Sequence, residues 1–157
     1  MTREFNKFDG LYMGLAKMTA EMSTAKRLKT GAVIVSNHRV LSLGYNGTPP
    51  GHDNSCEEEI DGILVTRPEV IHAEQNAIYK LARDGASAVL STMYCTHAPC
   101  SECAKAILMS GITTVIYNGK YEAARSGGFD SMKLLTDHGV IVRQYTPGLM
   151  DVAKGKA

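Results

Sequence analysis

The stretch AVLSTMYCTHAPCSECAKAILMSGITTVIY, residues 88–117, reads as strand, helix, strand. Ala88 to Cys95 is an apolar run of strand length, and Thr113 to Tyr117 is a second, rich in β-branched residues. Between them Pro99 sits beside the start, and Gly111 beyond the end, of a helix from Cys100 to Ser110. Two strands joined through a helix pair in parallel by a right-handed crossover. Downstream the pattern continues, with Ser131 to Asp137 as a helix closed by Gly139 and Val140 to Tyr145 as a further strand. Upstream, Ile71 to Arg83 reads as a helix stopped by Gly85. Ala32 to Val35 and Val40 to Leu43 are short aliphatic runs around Ser36-Asn37-His38-Arg39, a polar turn of hairpin length. The expected fold is α/β with three α-β-α layers: a five-stranded mixed sheet, made of an antiparallel hairpin and three parallel strands, with helices on both faces.

Two further segments complete the pattern. Phe5, Phe8, Leu11, Tyr12, Leu15, Met18 and Met22 recur at spacings of three and four, which predicts an amphipathic helix burying that face and ending before Gly31. Its methionines, Met13, Met18 and Met22, are expected in core or subunit packing. Gly44 to Gly62 is dense in Gly, Pro and Asn and reads as a long ordered loop with little regular structure, a kind of segment that usually carries function.

Composition narrows the class. At 157 residues the chain is expected to form a single domain, with a core of about residues 5–146. Hydrophobic residues at 44% and charged residues at 21% exclude wholesale disorder and a coiled coil. A net charge of +1 gives no reason to expect a nucleic-acid or membrane partner. No apolar run approaches the roughly 20 residues that span a bilayer, and MTREFNKFDG has no signal-like apolar core, so a cytoplasmic location is expected, the host's if the protein is viral. Reduced cytosolic thiols make Cys56, Cys95, Cys100 and Cys103 candidates for metal ligation or core packing rather than disulfides.

Spacing selects among them. Cys100 and Cys103 are one helical turn apart, so both sulfurs can reach one ion, and the positive end of the helix dipole favours their thiolates. His72 opens the preceding helix and supplies a third ligand for Zn²⁺, leaving a tetrahedral position for water, as in a catalytic site. Glu74, two residues on, is placed to act as general acid and base rather than as a ligand. A rival reading is a closed structural site of Cys95, His97, Cys100 and Cys103, which leaves His72 and Glu74 without a role. In the open-site reading Cys95 is a small core residue, and Cys56 and His52 belong to the loop.

H-A-E at His72 to Glu74 followed by P-C-x-x-C at Pro99 to Cys103 resembles the signature of the zinc-dependent cytidine and deoxycytidylate deaminases. T-G-A-V-I-V at Thr30 to Val35 and G-Y-N-G-T-P-P-G at Gly44 to Gly51 extend the likeness, the latter pointing to the deoxycytidylate branch. The resemblance covers roughly Phe8 to Tyr145. It implies hydrolysis of dCMP to dUMP and ammonia: a zinc-bound hydroxide attacks C4 of cytosine while Glu74 protonates N3 and then the leaving amine. It also implies that Asn46 contacts the 3′-hydroxyl, the backbone near Ala73 and Ala98 reads the base edge, and Arg27 or Tyr121 meets the phosphate. Relatives of this type imply a homohexamer that dCTP activates and dTTP inhibits, with Mg²⁺ accompanying the triphosphate, at a site drawing on Gly44, Tyr45, Gly47 and Asn54. The alternatives are a dCTP, adenine-nucleotide or tRNA deaminase of the same superfamily, or a nucleotide sensor without catalysis. An intact Glu74 speaks against the sensor, and the near-neutral charge against the tRNA enzyme.

Overall fold

The structure, a computed structural model, describes residues 4–120 and 130–147. Along the chain lie α1 (Lys7–Ala20), β1 (Gly31–Ser36), β2 (Arg39–Tyr45), β3 (Glu57–Ile60), β4 (Ile63–Thr66), α2 (Ala73–Arg83), β5 (Thr92–His97), α3 (Ser101–Ser110), β6 (Thr114–Gly119), α4 (Ser131–Asp137) and β7 (Ile141–Gln144). Five strands form one mixed sheet in the order β2-β1-β5-β6-β7. β1 pairs antiparallel with both β2 and β5, while β5, β6 and β7 run parallel. This is the mixed α/β sheet that the sequence predicts. The β1–β2 turn consists of Asn37 and His38, both with positive φ (49° and 59°), the backbone that matches a two-residue hairpin to the strand twist.

The sheet is covered on both faces. In β1 the first five residues are all buried, and their side chains divide by the strand's two-residue period. Ala32 and Ile34 join Ala77, Leu81, Met93, Ala104, Ile107 and Val115 in the cluster under α2 and α3. Val33 and Val35 join Tyr12, Met13, Ala16, Tyr94 and Ile116 under α1. An alternating pattern would have exposed one of these sets, so the unbroken aliphatic run in the sequence reflects two covering layers.

α1 buries only part of the face its large apolar residues predict: Tyr12 and Met13 enter the core, with Phe5 and Leu15 packed against it. Tyr12, Met13, Ala16, Thr19 and Ala20 are buried, whereas Phe8, Leu11, Met18 and Met22 are exposed, Met18 at 72%. The physical cause is close backbone contact: a Cβ on Gly31 would lie 2.1 Å from the Ala16 carbonyl oxygen and 2.7 Å from the Ala20 nitrogen. Only small side chains permit that approach, so Ala16 and Ala20 face Gly31, and Met13 packs beside them in the core. The helix start is fixed by Asn6, whose side chain accepts from Phe8 and Asp9 amides, with Asp9 accepting in return from the Asn6 amide at 2.8 Å. The buried Asp9 also accepts from the Tyr94 hydroxyl at 2.8 Å, tying the helix start to β5.

Two other expectations need correction. The ordered loop expected over residues 44–62 is shorter than that: β2 extends through Tyr45, and from Glu57 the chain forms β3 and β4, a separate two-stranded hairpin. Its turn, Asp61-Gly62, has positive φ at both positions (51° and 77°). The predicted strand from Ala88 starts only at Thr92, because Leu90 adopts φ +60° and its amide bonds to the Gly111 carbonyl, turning the chain before β5.

Candidate active site

Two helix starts meet at the carboxyl end of the sheet. His72 is the N-cap of α2 and Cys100 the N-cap of α3, both with extended backbone and neither capping its helix through its side chain. Their side chains are thus directed away from the helix amides and toward each other. His72 Nδ1 lies 3.3 Å from Cys100 Sγ and 3.4 Å from Cys103 Sγ. All three donor atoms fall within 4.8 Å of one another, and among the described residues this is the group that can hold a metal. Tetrahedral zinc with one nitrogen and two sulfur ligands places its donors about 3.5–3.8 Å apart, so the set fits with little adjustment. His97 does not join that group, and Cys95, 1% exposed, packs into the core, so the four-residue structural site is not the geometry formed.

Packing around the two starts holds the donors in place. A Cβ on Gly44 would sit 2.2 Å from the Ala73 carbonyl oxygen and 2.5 Å from the Ala77 nitrogen, so β2 and α2 touch backbone to backbone. Ser42 donates to the Ala77 carbonyl at 2.7 Å and the Asn76 amide to the Tyr45 carbonyl at 2.9 Å. On the other side the buried Ser131 donates to the Pro99 carbonyl at 2.8 Å, and the Ala98 amide bonds to the Gly119 carbonyl.

Glu74 lies in the first turn of α2, 7% exposed, with its Oε2 3.5 Å from Cys103 Sγ. Burial pushes its carboxyl above the ordinary range, toward holding a proton. The Cys100 thiol is brought down to about 4, first by the hydrogen bond from Cys103 and then by that from His72. Cys103 moves the opposite way because it is the donor in that pair. His72 is raised, chiefly by its bond to Cys100, against the opposing effect of its own burial. Without a cation these groups share protons among themselves; a cation bound by the three would replace them.

A cleft of about 230 Å³ opens over this group. His72, Glu74, Cys100, His97 and Ala98 line it together with Arg27, Leu28, Asn46, Glu57, Thr66 and Val70 among others. Arg27, Asn46 and Ala98 thus line the same cleft as His72 and Cys100. Cys103 and Ala73 are wholly buried behind the cleft surface. Tyr121 lies outside the described residues.

Asn46 has a structural task as well. Its Oδ1 accepts from the Thr30 amide and its Nδ2 donates to the Leu28 carbonyl, both at 2.8 Å. The residues expected at an effector site are likewise tied into the fold. The close approach at Gly44 is to α2 and not to solution; Gly47 exchanges backbone hydrogen bonds with Ile71; Lys80 lies 5.2 Å over the Tyr45 ring; and the Asn54 carbonyl accepts from Thr24.

Sequence reading missed Glu57, Thr66 and His97 as cleft residues; Cys56 lies on the loop before β3 as expected, but it is 1% exposed and lines the cleft. The signal for the first two was present: EEEIDGILVT, residues 57–66, is a strand–Asp-Gly–strand pattern, hidden by the Gly and Pro density before it. Burial lowers the pKa of His97 below the ordinary imidazole value, and its ring packs against Gly119.

Comparison with known proteins gives consistent results. Residues 6–118 match the model of the cytidine and deoxycytidylate deaminase zinc-binding region. Deoxycytidylate deaminase of Enterobacteria phage T4 is 32% identical over 157 aligned residues, covering 76% of this chain and 81% of that protein. The Schizosaccharomyces pombe deoxycytidylate deaminase is 33% identical over 89% of this chain, which spans only 44% of that longer protein. A crystal structure of dCMP deaminase from cyanophage S-TIM5, in complex with dCMP and dUMP, superposes with a TM-score of 0.81 at 37% identity, covering 91% of this chain and all of that one.

Proposed function

From the membership of this chain in the cytidine and deoxycytidylate deaminase family, we propose that it hydrolyses dCMP to dUMP and ammonia. The observation that carries this reading is the convergence of His72, Cys100 and Cys103 beside a buried Glu74, at the base of a cleft that also holds Arg27. His72, Cys100 and Cys103 would hold the Zn²⁺ that this family's zinc-binding region takes. When bound, Zn²⁺ supplies the Lewis acidity that makes water a nucleophile near neutral pH.

The remaining chemistry belongs to the chain. Cytosine gains a water oxygen at C4 and loses the exocyclic nitrogen as ammonia, so protons must move from the water to N3 and to the leaving amine. Glu74 is the group that carries them. Its carboxylate, in the first turn of α2 and 3.5 Å from Cys103 Sγ, is close enough to the three donors to take a proton from the water and pass it on within one turnover. The enclosing residues, Ala98 among them, limit bulk water at the reacting carbon. Arg27, which lines the same cleft, is the phosphate contact, and its planar guanidinium fork can bond two phosphate oxygens at once. Asn46 keeps the segment before β1 against the cleft and contacts the sugar.

Ammonia release from dCMP, dCTP, deoxycytidine and a short oligonucleotide, each with and without a chelator, tests the reading. Rapid chelator-sensitive release from dCMP is expected; release mainly from the oligonucleotide or dCTP would assign another substrate. The finer reading adds a cytoplasmic homohexamer that dCTP with Mg²⁺ activates and dTTP opposes through the segment from Gly44 to Asn54. Rates sigmoidal in dCMP alone and hyperbolic with dCTP are expected, and hyperbolic rates unmoved by either triphosphate would remove the regulation.

A further inference from the structure

Arg27 lies in residues 21–30 between α1 and β1, exposed and with no regular element of its own to hold it. The β3–β4 hairpin grips it instead. The backbone amides of Lys26 and Arg27 both donate to Glu57 Oε1, at 3.0 and 3.1 Å. The Arg27 guanidinium donates through Nη1 to Thr66 Oγ1 at 3.0 Å. Glu57 and Thr66 begin and end the hairpin and face each other directly in its register. One cross-strand pair therefore fixes both the main chain and the side chain of a single arginine at the cleft.

The chemistry of the grip differs from that of an ion pair. Arg67, the residue after Thr66, has Nη1 2.9 Å from Asp53 Oδ1 and Nε 3.6 Å from Glu69 Oε2, so carboxylates neutralise it. Arg27 meets only a neutral hydroxyl through its side chain and forms no salt bridge among the described residues, while Glu57 Oε1 accepts from the two backbone amides. The guanidinium keeps its full charge and most of its donors for a ligand. It is also already ordered, so less rotamer freedom is lost when an anion binds.

We propose that Glu57 and Thr66 are positioning residues that act through Arg27 to make this cleft prefer a nucleoside monophosphate over the nucleoside. The proposal rests on the phosphate role of Arg27 stated above. Its test measures kcat and KM for dCMP and deoxycytidine with the zinc-loaded full chain. Thr66→Val keeps the side-chain shape and strand preference; it is expected to raise KM for dCMP about threefold to tenfold, with kcat and deoxycytidine turnover unchanged. Thr66→Ser restores the hydroxyl and should return KM to within about twofold of the original. Glu57→Ala should act like Thr66→Val, and Glu57→Gln, which retains an acceptor oxygen, should not. In an Arg27→Ala background, Thr66→Val should add nothing. Thr66→Val that leaves KM for dCMP unchanged while Arg27→Ala raises it would overturn the positioning role and leave the phosphate role standing. Thr66→Val that raises KM further in the Arg27→Ala background, or affects both substrates alike, would also overturn it. Arg27→Ala affecting both substrates alike would overturn the phosphate role, and the positioning role with it.

Discussion

The two sides of the cleft are built by different means. On one side His72 and Cys100 are N-caps of helices that follow directly from the ordering of the sheet, and Gly44 presses β2 against α2 beneath them. On the other, Arg27 and Asn46 sit outside the helices and strands or at their margin, held by hydrogen bonds to other loops and to a hairpin separate from the main sheet. The first side is set by backbone packing, which has few alternatives. The second is set by single side-chain bonds, each of which can be changed with little cost to the fold. Chemistry is thereby placed where displacement is hardest, and substrate selection where variation is easiest.

The largest expected effect is on the rigid side. Glu74→Gln should keep the fold and zinc content while kcat falls roughly 10²- to 10⁴-fold, because an amide does not shuttle protons. Turnover within about tenfold of the original, only ~1.4 kcal/mol of barrier, would remove Glu74 from proton transfer. Metal analysis of the same protein separates lost chemistry from lost zinc. Next comes Arg27→Ala, expected to raise KM for dCMP roughly tenfold or more and to leave deoxycytidine nearly unchanged, since the charged contact exists only where the phosphate does.

Gly44→Ala sharpens the contrast from the packing side. The added methyl meets the Ala73 carbonyl, so α2 must shift, with a stability loss of about 1–3 kcal/mol in urea titration and a lower affinity for zinc at His72. Unchanged zinc affinity would mean that the helix start is held independently of β2. The smallest effect is expected for Asn46→Ala, which removes two loop hydrogen bonds worth about 1–2 kcal/mol together. Its stability loss should accompany an equal fall in kcat/KM for dCMP and deoxycytidine. A raised KM with unchanged stability would show that the side chain leaves those loop bonds for the substrate.

The sequence by itself determined the elements whose signals are local. Pro99 and Gly111 bracket α3, Asn37-His38 turn between two aliphatic runs, and His72, Glu74, Cys100 and Cys103 fall at the starts of helices whose bounds are marked locally. Spacing within one helical turn is a short-range property, so the paired cysteines were legible without any knowledge of tertiary contacts. The tertiary structure decided what depends on a distant partner. Gly31 set Ala16 and Ala20 of α1 inward and left Met18 and Met22 outside, because backbone contact at that point excludes large side chains whatever their hydrophobicity. Glu57 and Thr66 reached Arg27 across 30 and 39 residues of chain, a separation over which no periodicity carries information. Helix starts are written in neighbouring residues; the partners of an exposed arginine are settled only when the folded chain brings their atoms within hydrogen-bond reach.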